Sequence, residues 1–174
     1  MYRRMSVLVP ILALCACVAG VPKAIRQPAP GDITVVQAQG APDGLVGSQV
    51  RWGGTIATVQ NRASETWIEI VDRPLDSSGR PQQTDKTGGR FLARVSGFLD
   101  PVIYSKGRDV TVAGTLLSPL KRTIGDYPYL FPVVKTQVFH LWPVVVQQSP
   151  PRYYDPFWPD PWYPWGYPFP YRTY

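Results

Sequence analysis

Residues that bind metals or form crosslinks are scarce in this sequence. Its 174 residues include one histidine and two cysteines. A structural zinc site takes four ligands, mostly cysteine and histidine, and two cysteines permit at most one disulfide. The sequence therefore predicts no Cys/His zinc centre, no disulfide scaffold and no bound cofactor.

Charged residues are also few, at 17% of the chain, and the formal net charge is only +6. Hydrophobic residues make up 44%. A chain with this balance is not a charge-rich disordered protein, and its length suits one ordinary domain. The mild positive charge is not the footprint of a nucleic-acid-binding protein.

Motifs for nucleophilic catalysis and phosphate binding are missing. His140 is the sole imidazole, and no Gly-x-Ser-x-Gly turn accompanies it. The pairs Gly53-Gly54 and Gly88-Gly89 are not followed by the lysine or helix start of a phosphate loop. One enzyme class stays open, a hydrolase that uses Asp72 or Asp100 in a carboxylate pair, Asp72 with Asp76 or Asp100 with Asp109. Since aspartates also collect in ordinary turns, we predict no enzymatic activity.

The N-terminal apolar stretch is too short to span a bilayer, which takes about 20 residues. It runs from Met5 to Leu14 and follows the basic residues Arg3 and Arg4. A short basic region followed by a short apolar region is typical of an export signal. We therefore predict a signal peptide at residues 1–16.

The end of this signal indicates lipidation rather than simple cleavage. Leu14-Cys15-Ala16-Cys17 resembles the lipobox of bacterial lipoproteins, in which small residues precede a cysteine that is acylated. Cys17 has Ala16 before it, whereas Cys15 follows the bulky Leu14, so we predict acylation of Cys17 and loss of Cys15 with the signal. A Cys15–Cys17 disulfide would need a strained loop. Because Val18 rather than aspartate follows Cys17, the predicted location is the periplasmic face of the outer membrane, with its lipid as the partner.

Three further segments follow the signal. A proline-containing arm or linker is predicted at residues 17–46, with no helix longer than a turn near Lys23-Ala24-Ile25. A β domain is predicted at 47–143 and a proline- and aromatic-rich tail at 144–174. Short β-branched and aromatic runs, separated by polar turns, predict five strands in the β domain. These strands are expected at residues 49–59, 66–71, 90–97, 109–116 and 129–142.

The pattern of the β domain favours a small closed barrel. Apolar residues with a helical period are missing there, so the fold class is mainly β. The Gly53-Gly54 pair within the first strand predicts a bulge or a sharp bend, which small barrels need at corners. Five strands with such a bend favour an OB-like barrel, with a sandwich as the alternative.

Aromatic and basic residues on the strands predict a possible ligand face. An OB-like barrel often binds oligonucleotides or glycans on one face. Trp52, Trp67 and Arg90, with Arg51 and Arg94, would form a stacking platform there, or the tryptophans would instead fill the barrel interior. An exported protein rarely meets nucleic acid, so we predict no nucleic-acid partner and keep a small ligand or glycan as the alternative.

The tail has an extreme composition. Residues 149–174 contain eight prolines and 11 aromatic residues. Proline at this density blocks helices and sheet ladders, so we predict a disordered tail. Tyrosine and tryptophan suit half-hydrated surfaces, and an envelope protein or peptidoglycan is the partner expected for the tail.

Several short motifs together resemble the Slp family of starvation-inducible outer-membrane lipoproteins. They lie between residues 14 and 143 and are Val21-Pro22-Lys23-Ala24-Ile25, Val50-Arg51-Trp52-Gly53-Gly54 with Gly47 before it, Arg73-Pro74-Leu75-Asp76, Gly97-Phe98-Leu99-Asp100-Pro101 and Val110-Thr111-Val112-Ala113-Gly114. The resemblance implies an outer-membrane lipoprotein of starvation or stationary phase without established enzymatic activity. It assigns a role only to Cys17. In the Gly97–Pro101 motif we expect a turn at Asp100-Pro101, with Phe98 and Leu99 plugging the barrel.

Overall fold

The computed structural model describes residues 20–145. The predicted signal peptide, Cys17 and nearly all of the predicted tail lie outside this range. Two short helices and five strands are formed within it: α1 (Lys23–Arg26), α2 (Val35–Gly40), β1 (Gln49–Asn61), β2 (Glu65–Asp72), β3 (Arg90–Ser96), β4 (Asp109–Ile124) and β5 (Tyr127–Leu141). Neither of these helices has the length or apolar character to cross a membrane.

The strands close into a barrel in the order β1-β2-β3-β5-β4. Strand β1 pairs with both β2 and β4, so it closes the ring. Neighbouring strands are antiparallel except β3 and β5, which run parallel. The fold is therefore mainly β and OB-like, which confirms the predicted fold class.

The strand positions agree with the sequence except at β4, which continues eight residues beyond the expected end at 116. The continuation pairs with the beginning of β5, as far as Ile124 opposite Tyr127. Pro119 has no place in a regular ladder because it has no N–H to donate. It is accommodated by a shift of register between Leu117 and Leu120. The result is a long β4–β5 hairpin that extends past the barrel.

The barrel interior is filled by alternate side chains from the five strands. Trp52 lies inside, with its ring edge-on to Phe91 at a centroid distance of 5.2 Å. Such edge-to-face pairs contribute about 0.5–1.5 kcal/mol beyond the burial of their area. The indole N–H of Trp52 donates to the backbone carbonyl of Ile33 at 2.7 Å, which joins the N-terminal segment to the interior.

The N-terminal segment packs on the barrel and is not simply a spacer. Ile25 of α1 is fully buried, and Val35 and Ala38 of α2 are also buried. The guanidinium of Arg51 donates to the carbonyl of Ile25 at 2.9 Å. The prolines of this segment indicated an extended arm, but the apolar side chains between them are covered by the strands. Residues 20–46 therefore contribute to the core.

The two glycines of β1 serve close approach rather than the predicted bulge. A Cβ on Gly54 would collide with the carbonyl of Val71, and one on Gly53 would lie 2.8 Å from the carbonyl oxygen of Val110. The irregularity in the β1–β2 ladder lies further along, between Ile56 and Thr58. The strand needs glycine where two backbones approach each other, and it bends at a different position.

Candidate functional site

A second hydrophobic cluster lies on the outside of the barrel wall. It consists of Trp67 from β2, Leu92 from β3, and Phe131 and Val133 from β5, packed against the extended part of the β4–β5 hairpin. Trp67 points outward because side chains alternate along β2, and its neighbour Ile68 belongs to the interior cluster. The outer face of β2 and β3 therefore has an apolar base.

Three arginines cover the ring of Trp67. The guanidinium carbon lies 4.4 Å from the ring centroid for Arg62, 5.2 Å for Arg94 and 5.1 Å for Arg122. These distances are within cation–π range, which extends to about 6 Å. Arg62 follows β1, Arg94 belongs to β3 and Arg122 to β4, so three elements converge here. Trp67 is left only 9% exposed.

Glu65 is the acidic member of this group. Its carboxylate accepts the indole N–H of Trp67 at 2.6 Å and two N–H groups of Arg94 at 2.9 and 3.1 Å. The hydrogen bond from Trp67, then that from Arg94, with the positive charges of Arg94 and Arg62, holds the pKa of Glu65 below its usual value. We call Trp67, Arg62, Arg94, Arg122 and Glu65 the Trp67 cluster.

The charges of the Trp67 cluster are unbalanced. Three guanidinium groups face a single carboxylate, and that carboxylate is paired with Arg94. Among residues 20–145, Arg62 and Arg122 take part in neither of the ion pairs, which are Arg94–Glu65 and Arg90–Glu69. Guanidinium donors suit carboxylate and phosphate oxygens because their planar fork matches two acceptors. The cluster therefore presents donors for an oxyanion.

The predicted ligand face is divided by the barrel wall. Trp52 lies in the interior cluster and Trp67 in the outer one, so the two rings do not form a common platform. Arg90 lies on the same outer face as Trp67 but is paired with Glu69 at 2.5 Å. Both tryptophans are buried, which opposes the stacking of a ligand on an exposed ring. The groups that the outer face presents to a ligand are therefore arginine side chains and not aromatic rings.

Arg62 and Arg122 were missed as candidates because the sequence places them in or near hairpin turns. Arg62 lies between β1 and β2, and Arg122 is close to the turn between β4 and β5. In an OB fold, these two connections flank the ligand-binding face of β2 and β3. A charged residue at both connections is the signal that would have identified them.

The aspartates proposed for a hydrolase have structural partners. Asp76 accepts N–H groups of Ser78 and Arg80, and Asp100 accepts the N–H of Val102 at 2.8 Å. The carboxylate of Asp109 accepts hydrogen bonds from the hydroxyl of Thr55 and the side-chain amide N–H of Gln83. These contacts are typical of turns and strand ends. Within the part of the chain that the structure describes, no group of acidic, histidine or cysteine side chains is placed to hold a metal ion.

Asp72 is different because it lines a pocket of about 280 Å³ together with Asp32, Arg51 and Arg73. Burial raises its pKa to about 6, although a hydrogen bond from the Gly88 N–H opposes the shift. A raised pKa in a partly buried carboxyl group means that ionisation is unfavourable in the folded protein. The charge is therefore a destabilising feature at neutral pH.

The pH dependence of stability should reveal this carboxyl group. Folded Asp72 binds its proton more tightly than unfolded Asp72, so the contribution of Asp72 to the free energy of unfolding falls as pH rises from about 4 to about 6 and is level above that. We expect Asp72→Asn, which keeps an acceptor for Gly88, to remove this fall and to stabilise the protein at pH 7 by up to about 3 kcal/mol. Urea unfolding between pH 4 and 7 measures it. Parallel curves for the two proteins would contradict the assignment.

The loop that follows β3 does not plug the barrel as expected. Phe98 is 72% exposed, whereas Leu99 is partly buried against the interior cluster. The backbone carbonyl of Asp100 accepts the N–H groups of Ile103 and Tyr104, which confirms the turn predicted at Asp100-Pro101. Phe98 points outward because the loop leaves the barrel at Gly97, which has φ 84°.

The sole histidine has a packing role. His140 lies edge-on to Trp142 with the ring centroids 4.5 Å apart. Burial lowers its pKa, because a protonated ring is poorly solvated there. Trp142 in turn donates to the hydroxyl of Thr111 at 2.9 Å.

Comparisons with known proteins agree with the motifs. The sequence model of the outer membrane lipoprotein Slp family matches residues 14–172. The match continues past residue 143, so most of the aromatic tail lies within the matched region. A lipoprotein of Escherichia coli (strain K12) named YeaY, of uncharacterised function, is 38% identical over 159 residues, which cover 90% of this chain and 81% of the relative.

Two other similarities differ in strength. Outer membrane protein Slp of Escherichia coli (strain K12) is 36% identical over 166 residues, which cover 91% of this chain and 85% of the relative. The crystal structure of a small single-stranded DNA-binding protein from Streptomyces coelicolor has a TM-score of 0.36 and 12% identity, and covers 55% of this chain and 94% of that one. That score is too low to bear on fold or ligand.

Proposed function

Because the chain belongs to the outer membrane lipoprotein Slp family, we propose that it is a lipid-anchored, non-enzymatic protein of the cell envelope. In this proposal Cys17 is acylated and the barrel stands on the periplasmic face of the outer membrane. Its role is structural or interactive and belongs to starvation or stationary phase. The observation that carries the proposal is the family match, which begins at residue 14 and so includes the lipobox.

The acyl groups would supply the membrane affinity. Each buried CH₂ contributes about 0.8 kcal/mol, and a single chain anchors a protein only reversibly. The two or three chains of a mature bacterial lipoprotein hold it stably. An anchor of this strength requires no apolar helix from the barrel.

Because α1 packs on the barrel, the length of chain between the lipid-bearing Cys17 and the barrel is short. Ile25 is buried in the barrel, and α1 begins at Lys23. Only residues 18–22 separate Cys17 from this helix, and an extended chain of five residues reaches at most about 17 Å. The barrel would therefore lie close to the lipid surface and would not extend far into the periplasm.

The placement of the aspartates supports a non-enzymatic role. Asp76, Asp100 and Asp109 are engaged in turn and strand-end hydrogen bonds. Glycoside hydrolysis needs two carboxyl groups that flank one bond, with one of them protonated. Asp72 has the raised pKa that a general acid needs, but Asp76, the carboxylate expected to act with it, is held in a turn by the N–H groups of Ser78 and Arg80.

A second candidate function is a binding module on the same anchor. The Trp67 cluster favours it because two arginines outside the described ion pairs, the exposed Arg62 and the half-buried Arg122, lie beside an apolar base. The aromatic tail is proposed as a separate contact with an envelope protein or peptidoglycan, and residues 146–174 lie outside the described part of the chain.

Lipid attachment is tested by labelling cells with a palmitate analogue. We expect Cys17→Ala to lose the label completely, since no other thiol follows the signal. Cys15→Ala is the matched control, because it changes the neighbouring cysteine and leaves the acceptor in place. Label retained in Cys17→Ala, or lost in Cys15→Ala, would overturn the assignment.

A further inference from the structure

We propose that the Trp67 cluster is a binding site for the free carboxylates of an acidic glycopeptide polymer, which in the periplasm is peptidoglycan. This inference rests on the proposed periplasmic location. Arg62 and Arg122 are its direct ligands, and Arg94 with Glu65 positions the ring beneath them.

The chemistry follows from the donors that the cluster leaves available. Each guanidinium has five N–H donors and no acceptor. Arg94 uses donors on Glu65, whereas the guanidinium groups of Arg62 and Arg122 make no hydrogen bond to any other residue in the 20–145 range. Both guanidinium groups lie over the ring of Trp67, with Arg62 exposed and Arg122 half-buried, so N–H donors of both remain available to a ligand. A carboxylate accepts two parallel N–H groups from one such edge.

Trp67 acts as a support rather than as a stacking surface. Its ring is 9% exposed, so a ligand has little aromatic surface to contact. The ring is fixed from below by Leu92 and Phe131, and its N–H is fixed by Glu65. Arginine side chains stacked on a fixed ring lose less freedom when they bind a ligand, and pre-organisation of this kind favours binding.

The location of the cluster favours a polymer over the membrane that carries the anchor. Near its beginning, β1 contacts α1 through Arg51, and α1 is the element next to the proposed anchor. Arg62 follows directly after the other end of β1, at Asn61. Ten residues of strand, about 33 Å along the chain, separate these two positions. Arg62 is thus remote from the anchored end of the barrel along β1.

The positive charge of the Trp67 cluster favours this acidic polymer over a neutral glycan as the ligand. The Trp67 cluster carries three positive groups and one negative group, and the chain's formal net charge of +6 stays positive when Arg3 and Arg4 are lost with the signal. The peptides of peptidoglycan carry free carboxyl groups at regular spacing. Two separate arginines, one from each hairpin, suit two such groups on one polymer.

Sedimentation with purified sacculi tests the site. Detergent-solubilised full-length lipoprotein is mixed with sacculi at low salt, and the bound fraction is measured. We expect the double variant Arg62→Ala/Arg122→Ala to bind at least about tenfold more weakly, which corresponds to 1.4 kcal/mol. The control Lys86→Ala/Lys106→Ala removes two exposed charges from the loops before β3 and β4 and is expected to bind like the wild type. Arg62→Lys/Arg122→Lys, which keeps the charge but loses the planar fork, is expected to lie between them.

Two further arms identify the ligand. Sacculi whose carboxyl groups have been amidated should no longer bind, and undiminished binding to them would overturn the proposal. Binding of the wild type to phosphatidylglycerol vesicles but not to sacculi would overturn the proposal, as would equal losses in the arginine and lysine double variants. Palmitate labelling is measured on the same preparations. Normal labelling without sacculus binding would refute this inference alone, whereas loss of labelling would count against the anchor.

Discussion

Replacing Gly54 with alanine is expected to prevent the barrel from folding. Gly54 lies in β1 opposite Asp72, where the backbones of β1 and β2 cross closely. A Cβ at this position would overlap the carbonyl oxygen of Val71 and would lie 2.8 Å from its carbonyl carbon. Backbone atoms cannot rotate away as a side chain can, so the strands would have to separate.

The expected loss exceeds about 4 kcal/mol, which is most of the stability of an ordinary domain. Gly40→Ala is the matched control, since a Cβ at that helical position meets nothing within 4 Å. We expect it to be neutral or to stabilise by up to about 1 kcal/mol. Circular dichroism and thermal unfolding of the purified proteins measure both. A Gly54→Ala protein that melts near the wild-type temperature would show that the two strands do not approach as described.

Replacing Ile25 with alanine has the second largest expected effect, about 2–5 kcal/mol of unfolding free energy. Ile25 is fully buried although it lies in a four-residue helix that precedes the barrel. Its carbonyl accepts the Arg51 guanidinium at 2.9 Å, and its side chain lies against Gly79 of the loop between β2 and β3. Truncation would leave a cavity between these elements.

Urea unfolding of Ile25→Ala distinguishes a packed segment from a linker. Val36→Ala serves as the control, because Val36 is an apolar residue of the same segment that is 59% exposed. We expect the control to change stability by no more than about 0.5 kcal/mol. If the two variants were equally stable, residues 20–46 would have to be regarded as a tether without a share in the core.

The five strands could be predicted because each one has a recognisable pattern in its own residues. β-branched and aromatic runs between polar turns mark β2 and β3 to within one residue at each end. The end of β4 could not be predicted, because Pro119 in the sequence is the signal of a strand end. A register shift that bypasses proline depends on the partner strand, which a local pattern does not contain.

The candidate site was only partly predictable for a related reason. Alternation along a strand separates two faces but does not say which face is inside. Trp52 and Trp67 both lie within predicted strands, yet one fills the barrel and the other lies outside it. Arg62 and Arg122 are 60 positions apart, and only the long β4–β5 hairpin brings the second of them to the ring.

The packing of the N-terminal segment on the barrel was not predicted, because burial of a short helix is a property of the surface beneath it. Four prolines between Val18 and Gly44 predict an extended segment, and α1 and α2 are only four and six residues long. Helices of this length are not stable alone in water. They persist here because Ile25, Val35 and Ala38 are covered by the barrel.

The docking of α1 has a consequence for the order of folding. The helix contacts β4 and β5, which are the last strands of the chain, and β5 is also needed beside β3 to complete the ring. Contacts between such distant parts of a sequence slow folding, since a long loop must close before they form. A chain released into the envelope from its N-terminal end would thus hold its first helix undocked until the final strand arrived. During that interval Ile25 and the strand edges would be exposed to other chains and would be a natural target for a chaperone.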